Sequence, residues 1–190
     1  MKFLSKGLIK HNPTFDGYLF QRDPFEKVSR ILNGQEKKVN VSFHLVAVST
    51  LYAASKDIKL RRVLKDGILI CDSTPLAKFL NLTQGDIRFC RGTDFLRFVL
   101  NHNPHTGGHF LLGSTELTLR KLHEHIQFNY PNIQVVGNYS PPFSESIEMD
   151  EILTRVQQCE PKFVWVGMGS PKQDFVAEAI TRSTGITTFA

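Results

Sequence analysis

Short apolar runs alternate with amphipathic stretches at least four times along this chain, at intervals of 25–30 residues. That rhythm restricts the fold more than any other feature. A strand, a helix crossing back and a second parallel strand recur as βαβ units. Runs such as Ile68–Cys71 are apolar throughout, as a strand covered on both faces requires. The predicted class is α/β: a doubly wound, Rossmann-like, mostly parallel sheet with helices on both faces.

The reading along the chain is specific. Asp23-Pro24 opens a helix to Asn33, with Asp as N-cap and Pro in the first helical position, and Gly34 ends it. Val39–Val48 reads as a strand and Thr50–Lys65 as one helix, with Lys59, Arg61, Arg62 and Lys65 on its solvated side. Further strands are expected over Ile68–Cys71, His109–Leu112, Ile133–Val136, Phe163–Val166 and Ile186–Ala190. Further helices are expected over Leu76–Leu82, Asp94–Leu100, Thr115–Phe128, Ser146–Gln158 and Lys172–Thr181. The last apolar run stops at Ala190, which fits either a fragment or a strand closing the sheet at an edge. Residues 1–38 read as an irregular N-terminal segment with one helix, and 39–190 as the α/β domain.

Composition narrows the class. A chain of 190 residues fills one domain and not two ordinary ones. With 41% hydrophobic and 22% charged residues, disorder and coiled coil are excluded. No stretch reaches the roughly 18 to 20 apolar residues of a membrane span, and the N-terminus lacks a signal-peptide core. Work at a membrane would be work on its surface, with the chain in the cytoplasm. The net charge of +5 fits an anionic ligand, a nucleic acid or an acidic membrane, and selects none of them. Cys71, Cys90 and Cys159 are odd in number and widely spaced, which excludes a disulfide framework and a zinc ribbon and points to a reducing compartment.

Ligands of such sheets bind where strand C-terminal ends meet helix N-termini. The corners after Cys71, Leu112, Val136 and Val166 are therefore expected to share one cleft. Asp72 stands at the first. It can take a proton from an acceptor hydroxyl as general base, or serve as the N-cap of the next helix. Gly113 and Ser114 mark the second, where helix amides can meet a phosphate. The third is Val166–Asp174, in which Gly169, Lys172 and Gln173 stand at a helix start. A first-turn lysine opposes the helix dipole and hints at an anion nearby. Arg88 and Arg91 flank a further turn and suit phosphate oxygens. His102, His105 and His109 cluster without a supporting carboxylate or cysteine pattern, and His123 and His125 point apart on a helix, so no metal site is expected. No glycine fingerprint supports a dinucleotide oxidoreductase, and the basic residues are not interleaved with aromatics as nucleic-acid binding would ask.

The order of these corners resembles the WecG/TagA/CpsF glycosyltransferases (glycosyltransferase family 26). The strings that carry the likeness are Lys56–Arg61, Ile70–Leu76, Gly92–Phe95, Phe110–Gly113, Tyr130–Gly137, Tyr139–Phe143 and Val166–Asp174. The last two are the most specific. The resemblance implies inverting, metal-independent transfer from a UDP-sugar to a polyprenyl-linked sugar on the cytoplasmic face. Familiar members add N-acetylmannosamine or its uronic acid in teichoic acid or enterobacterial common antigen assembly, and others make capsule or exopolysaccharide. It implies Asp72 as catalytic aspartate, Gln173 in donor binding, and Arg88 or Arg91 against the diphosphate. It implies no cofactor. The partners implied are a UDP-sugar donor, a polyprenyl-linked acceptor and the cytoplasmic membrane surface. Nucleic acid is not among them, and a homo-oligomer is left open.

Three departures stand out. A Thr-x-Asn pair usual in the family falls on Leu45 and Ala47, leaving Ser49 and Thr50 as the nearby hydroxyls. Ser73 replaces the glycine after the aspartate. The family continues into further helices and a basic segment beyond the point matching Ala190, so the chain reads as a fragment or as a divergent relative that binds nucleotide sugar without transferring it.

Overall fold

The computed structural model describes residues 14–35, 40–102, 107–143 and 147–190. Among these, six parallel strands form one sheet: β3 (Ser42–Val46), β4 (Ile68–Cys71), β5 (His109–Gly113), β6 (Val135–Tyr139), β7 (Phe163–Gly167) and β8 (Thr187–Phe189), in the order β4-β3-β8-β7-β5-β6. A two-residue hairpin, β1 (Thr14–Phe15) and β2 (Tyr18–Leu19), precedes them. The doubly wound reading holds.

The pleat sends successive side chains to opposite faces. In β4, Leu69 and Cys71 join Leu60, Leu64 and Leu80 on one face, while Ile70 joins Val28, Phe95 and Phe163 on the other. The first face is covered by α2 (Val48–Lys56), α3 (Ile58–Asp66), α4 (Thr74–Thr83), α7 (Met149–Cys159) and α8 (Lys172–Thr184). The second is covered by α1 (Pro24–Leu32), α5 (Gly92–His102) and α6 (Glu116–Asn129). Each fully buried apolar side chain is worth about 1.5–3 kcal/mol, so this two-sided core holds the strand ends rigidly in place. Tyr18 and Phe20 are buried in the same core, and Phe20 bridges to Leu69.

Helix α1 starts as expected: Asp23 Oδ1 accepts from the N–H groups of Phe25 and Glu26, with Pro24 in the first helical position. The single helix expected over Thr50–Lys65 is two. Asp57 leaves helical geometry at φ −125° and its carboxylate accepts from the N–H of Lys59 and Leu60, starting α3. Helix α3 leads through Gly67 straight into the N-terminal end of β4, so its basic residues lie toward the sheet edge opposite the strand C-termini. There Arg61 reaches Asp16 and Arg62 reaches Asp66.

Three further expectations change. The strand expected over Ile133–Val136 runs from Val135 to Tyr139, because Ile133 closes a turn on Tyr130 O before pairing begins. Helix α7 starts at Met149, and Ser146, where it was expected to begin, lies outside the described residues. The final run is not an edge strand. β8 pairs with β3 on one side and β7 on the other, and its Phe189 stacks on Trp165 at 4.2 Å. All three β8 residues are buried, as an interior position requires, and the Thr188 hydroxyl is satisfied by donating to Ala177 O at 3.1 Å.

Candidate active site

All six strands being parallel, their C-terminal ends share one edge of the sheet. A cavity of about 310 Å³ opens there, between α5 and α6. Leu45, Leu96, Leu111, Leu119, Leu122, Trp165 and Phe189 form its apolar walls; Asp72, Thr93, Ser114, Thr118 and Gln173 supply its polar groups. Ser114 and Gly167 also line an adjoining groove of about 590 Å³ with Gly113, Ser140, Phe143, Met168 and Lys172, so cavity and groove form one cleft. A larger groove of about 720 Å³ runs along α6 past Arg120, His123 and Arg155, and none of the candidate residues lines it.

Asp72 follows β4, and its N–H donates to Val46 O at 3.0 Å. The capping role falls to its neighbour: Ser73 Oγ accepts from the N–H of Leu76 at 3.4 Å and starts α4. Asp72 is therefore not the cap of α4. Burial raises the Asp72 carboxyl above its ordinary range, Arg91 opposes the rise, and Asp94 adds to it. A carboxylate poised upward in a half-buried cleft suits proton abstraction. Cys90 is pushed up to about 12, first by burial and then by Asp94 and Asp72, and burial raises Cys71 as well, so neither thiol is a ready nucleophile.

The β7–α8 corner is braced from within. Gln173 Oε1 accepts from the Gly169 N–H at 2.9 Å, while the Gln173 N–H donates to Gly169 O at 2.9 Å. Its Nε2 meets no protein acceptor among the described residues. Gly169 has φ +81° and no atom within 4 Å of where a Cβ would sit, so this corner stays open to a ligand. Pro171, after a cis peptide bond, occupies the N-cap position of α8 without a side-chain cap.

The β5–α6 corner differs. Gly113 has φ +100°, and a Cβ there would stand 2.6 Å from Gly167 O. The two strand ends therefore touch. Ser114 also lies at positive φ, and its carbonyl accepts from Ser140 Oγ at 2.7 Å. Thr115 caps α6, and Glu116 already places a carboxylate in its first turn. That charge weakens this helix start as an anion site.

The arginines separate. Arg88 donates to Asp23 Oδ2 at 3.3 Å and lies over the Phe25 ring at 4.3 Å, tied to the start of α1 and away from the cavity lining. Arg91 also lines neither the cavity nor the groove, but its charge acts on Asp72. Ser49 is exposed and Thr50 buried in the first turn of α2, and neither lines the cavity; Leu45, one of the two positions of the missing polar pair, does. The other, Ala47, leaves α2 without a side-chain cap.

The histidines do not converge. His109 is buried, accepts from Trp165 Nε1 at 3.0 Å, and is lowered to about 4 by burial. His102 stacks on Phe98 in α5, and His105 lies outside the described residues. His123 faces the α6 groove, whereas His125 bonds Asn129. Sequence reasoning passed over His44, a fully buried histidine on β3 whose Nδ1 is 2.9 Å from Asp174 Oδ1. A histidine between Phe43 and Leu45, two residues after Ser42 in a buried strand, was the signal.

Comparison with family models matches residues 19–189 to the glycosyl transferase WecG/TagA/CpsF family. The chain belongs to that family. Comparison with curated proteins finds no match. As a WecG/TagA/CpsF member the chain is a glycosyltransferase of cell-surface polysaccharide synthesis, a class that takes a nucleotide-sugar donor and a lipid-linked acceptor. Among the described residues no helix is long and apolar enough to cross a membrane.

Proposed function

We propose that this WecG/TagA/CpsF member moves a hexosyl group of the N-acetylmannosamine type from a UDP-sugar to a polyprenyl-diphosphate-linked acceptor, with inversion and without a metal ion. The work is done on the cytoplasmic face of the membrane. The observation that carries the reading is the convergence of Asp72 and Gln173 on one cavity, from corners 101 residues apart (173 − 72).

In this mechanism Asp72 accepts the proton of the acceptor hydroxyl as the oxygen attacks the anomeric carbon. The bond from that carbon to the UDP oxygen breaks on the opposite face, which inverts the centre. General-base catalysis of this kind contributes about 10²–10⁴-fold. UDP departs with one more negative charge than it carried in the ester. Arg91, Lys172 and the positive end of the α8 dipole stabilise that charge. Gln173 fixes the donor through Nε2 while its Oε1 holds the Gly169 loop. Gly113 and Ser114 shape the groove beside it. Arg88, occupied with Asp23 and Phe25, supports α1 in this reading, and Ser49 and Thr50 are left out of it.

A second reading has one observation in its favour: Leu45 stands in the cavity where the family carries a polar residue. On that reading the chain binds nucleotide sugar and transfers nothing. Titration with UDP, alongside transfer from radiolabelled UDP-N-acetylmannosamine to a short-chain polyprenyl-diphosphate sugar, separates the two. Binding with lipid-linked product supports transfer, binding without product supports the second reading, and absence of UDP binding contradicts both.

A further inference from the structure

Behind the Gln173 corner lies a buried polar chain that the transfer mechanism does not use. Asp174, 1% exposed in the first turn of α8, accepts from the Ser170 Oγ–H at 2.7 Å through one carboxylate oxygen. Its other oxygen is 2.9 Å from Nδ1 of His44. His44 in turn places Nε2 3.0 Å from Ser42 Oγ. An ionised carboxylate only accepts, so Nδ1 carries the proton. Both ring nitrogens and both carboxylate oxygens are thereby partnered. The chain makes room for the ring: a Cβ at Gly67 would stand 2.4 Å from His44 Cδ2.

Burying a carboxylate and an imidazole costs desolvation, and two apolar side chains of similar volume often hold a fold as well. Fold stability alone is therefore a poor reason for the pair, and its position offers a better one. Ser170 and Asp174 bracket the segment that presents Gln173, and Gly169 adjoins Ser170. His44 lies on β3, which pairs with β4, the strand leading into Asp72. The pair is a buried polar tie between the corner assigned to the donor and β3, the neighbour of the strand that carries the base. It also turns the one first-turn carboxylate of α8 into the interior, leaving that helix start free of exposed negative charge toward the cleft.

We propose that His44 and Asp174 are positioning residues that hold the Gly169–Gln173 corner in its donor-binding arrangement. The inference rests on the reading of that corner as the donor site. It goes beyond that reading in making the affinity for the donor depend on a buried contact with β3.

The test is calorimetric titration of the full chain with UDP, at a temperature where thermal scans show every variant folded. His44→Leu removes the Nδ1 donor, His44→Asn puts an amide N–H back near it, Ser170→Ala releases the loop alone, and Gln173→Ala reports on the donor site itself. If the corner is competent a tenth of the time once untied, affinity falls about tenfold. The expected pattern is about that loss for His44→Leu and Ser170→Ala, with most of it recovered in His44→Asn. Loss in Gln173→Ala with wild-type affinity in His44→Leu overturns the positioning role and leaves the donor site standing. Wild-type affinity in Gln173→Ala overturns the donor-site reading beneath it. Where His44→Leu does not fold, Ser170→Ala decides, and wild-type affinity there overturns the proposal.

Discussion

Alanine at Gly113 and alanine at Gly169 separate what holds the cleft together from what it binds. Both residues sit at positive φ, +100° and +81°, where an L side chain costs about 1–2 kcal/mol. At Gly113 the new Cβ would also stand 2.6 Å from Gly167 O and from Met168 Cγ, and 2.8 Å from Gly167 C. Two of those atoms are backbone, so relief means parting the ends of β5 and β7, and overpacking of this kind adds about 1–3 kcal/mol. The sum for Gly113→Ala is about 2–5 kcal/mol. At about 2–4 °C of Tm per kcal/mol for a chain of this size, that is roughly 4–20 °C. Gly169→Ala meets nothing within 4 Å, so only the conformational cost applies, roughly 2–8 °C of Tm. Its open space is where the diphosphate is placed, so this variant weakens UDP binding by about tenfold, an energy of about 1.4 kcal/mol. Thermal unfolding by circular dichroism and UDP titration measure both effects. A Gly113→Ala variant melting within about 2 °C of wild type, a loss smaller than 1 kcal/mol, refutes the packing argument. Unchanged UDP affinity in Gly169→Ala refutes the placement of the diphosphate.

Other consequences follow from charge. Because burial raises the Asp72 carboxyl and only its ionised form is a base, the acid limb of kcat/KM lies above the ordinary aspartate range. Arg91→Gln moves that limb higher and Asp94→Asn lower, since the first group opposes the shift and the second adds to it; a pH–rate profile unmoved by either change would contradict the assignment. His109 is depressed from 6.5 to about 4, so the fold binds its proton less well than the unfolded chain. Its contribution is fully present above pH 6.5 and is lost as pH falls toward about 4, an effect of roughly 3 kcal/mol. Urea titrations of His109→Gln over that window show a flatter pH dependence than wild type. Arg88→Ala loses a largely exposed ion pair, costs no more than about 1 kcal/mol and keeps UDP affinity, whereas Arg91→Ala weakens it.

The alternation of apolar runs was enough to place the strands and most helices, because a parallel sheet covered on both faces forces long-range order into local hydrophobicity. It failed where the deciding contact was remote or the local signal was masked. Asp57 caps α3 inside an apolar periodic run, so the break after Lys56 left no mark in the periodicity. Strand order is invisible locally, and β8 became an interior strand only through pairing with β3 and β7. At the site, the residues at strand ends were legible because chain topology alone puts them on one edge. Which neighbour capped α4, Asp72 or Ser73, depended on geometry that both residue types satisfy. Arg88 and Arg91 were equivalent on paper until Asp23 and Phe25 claimed the first. His44 and Asp174 are 130 positions apart, and no local pattern joins them.

Transfer by Asp72→Asn, set beside its UDP affinity, reaches the base assignment most directly. The amide keeps the size of the side chain and cannot take a proton. Lipid-linked product should fall by at least about 10²-fold while UDP binds as in the wild type. Product formed at the wild-type rate would remove Asp72 from the chemistry and leave the cleft a binding site alone.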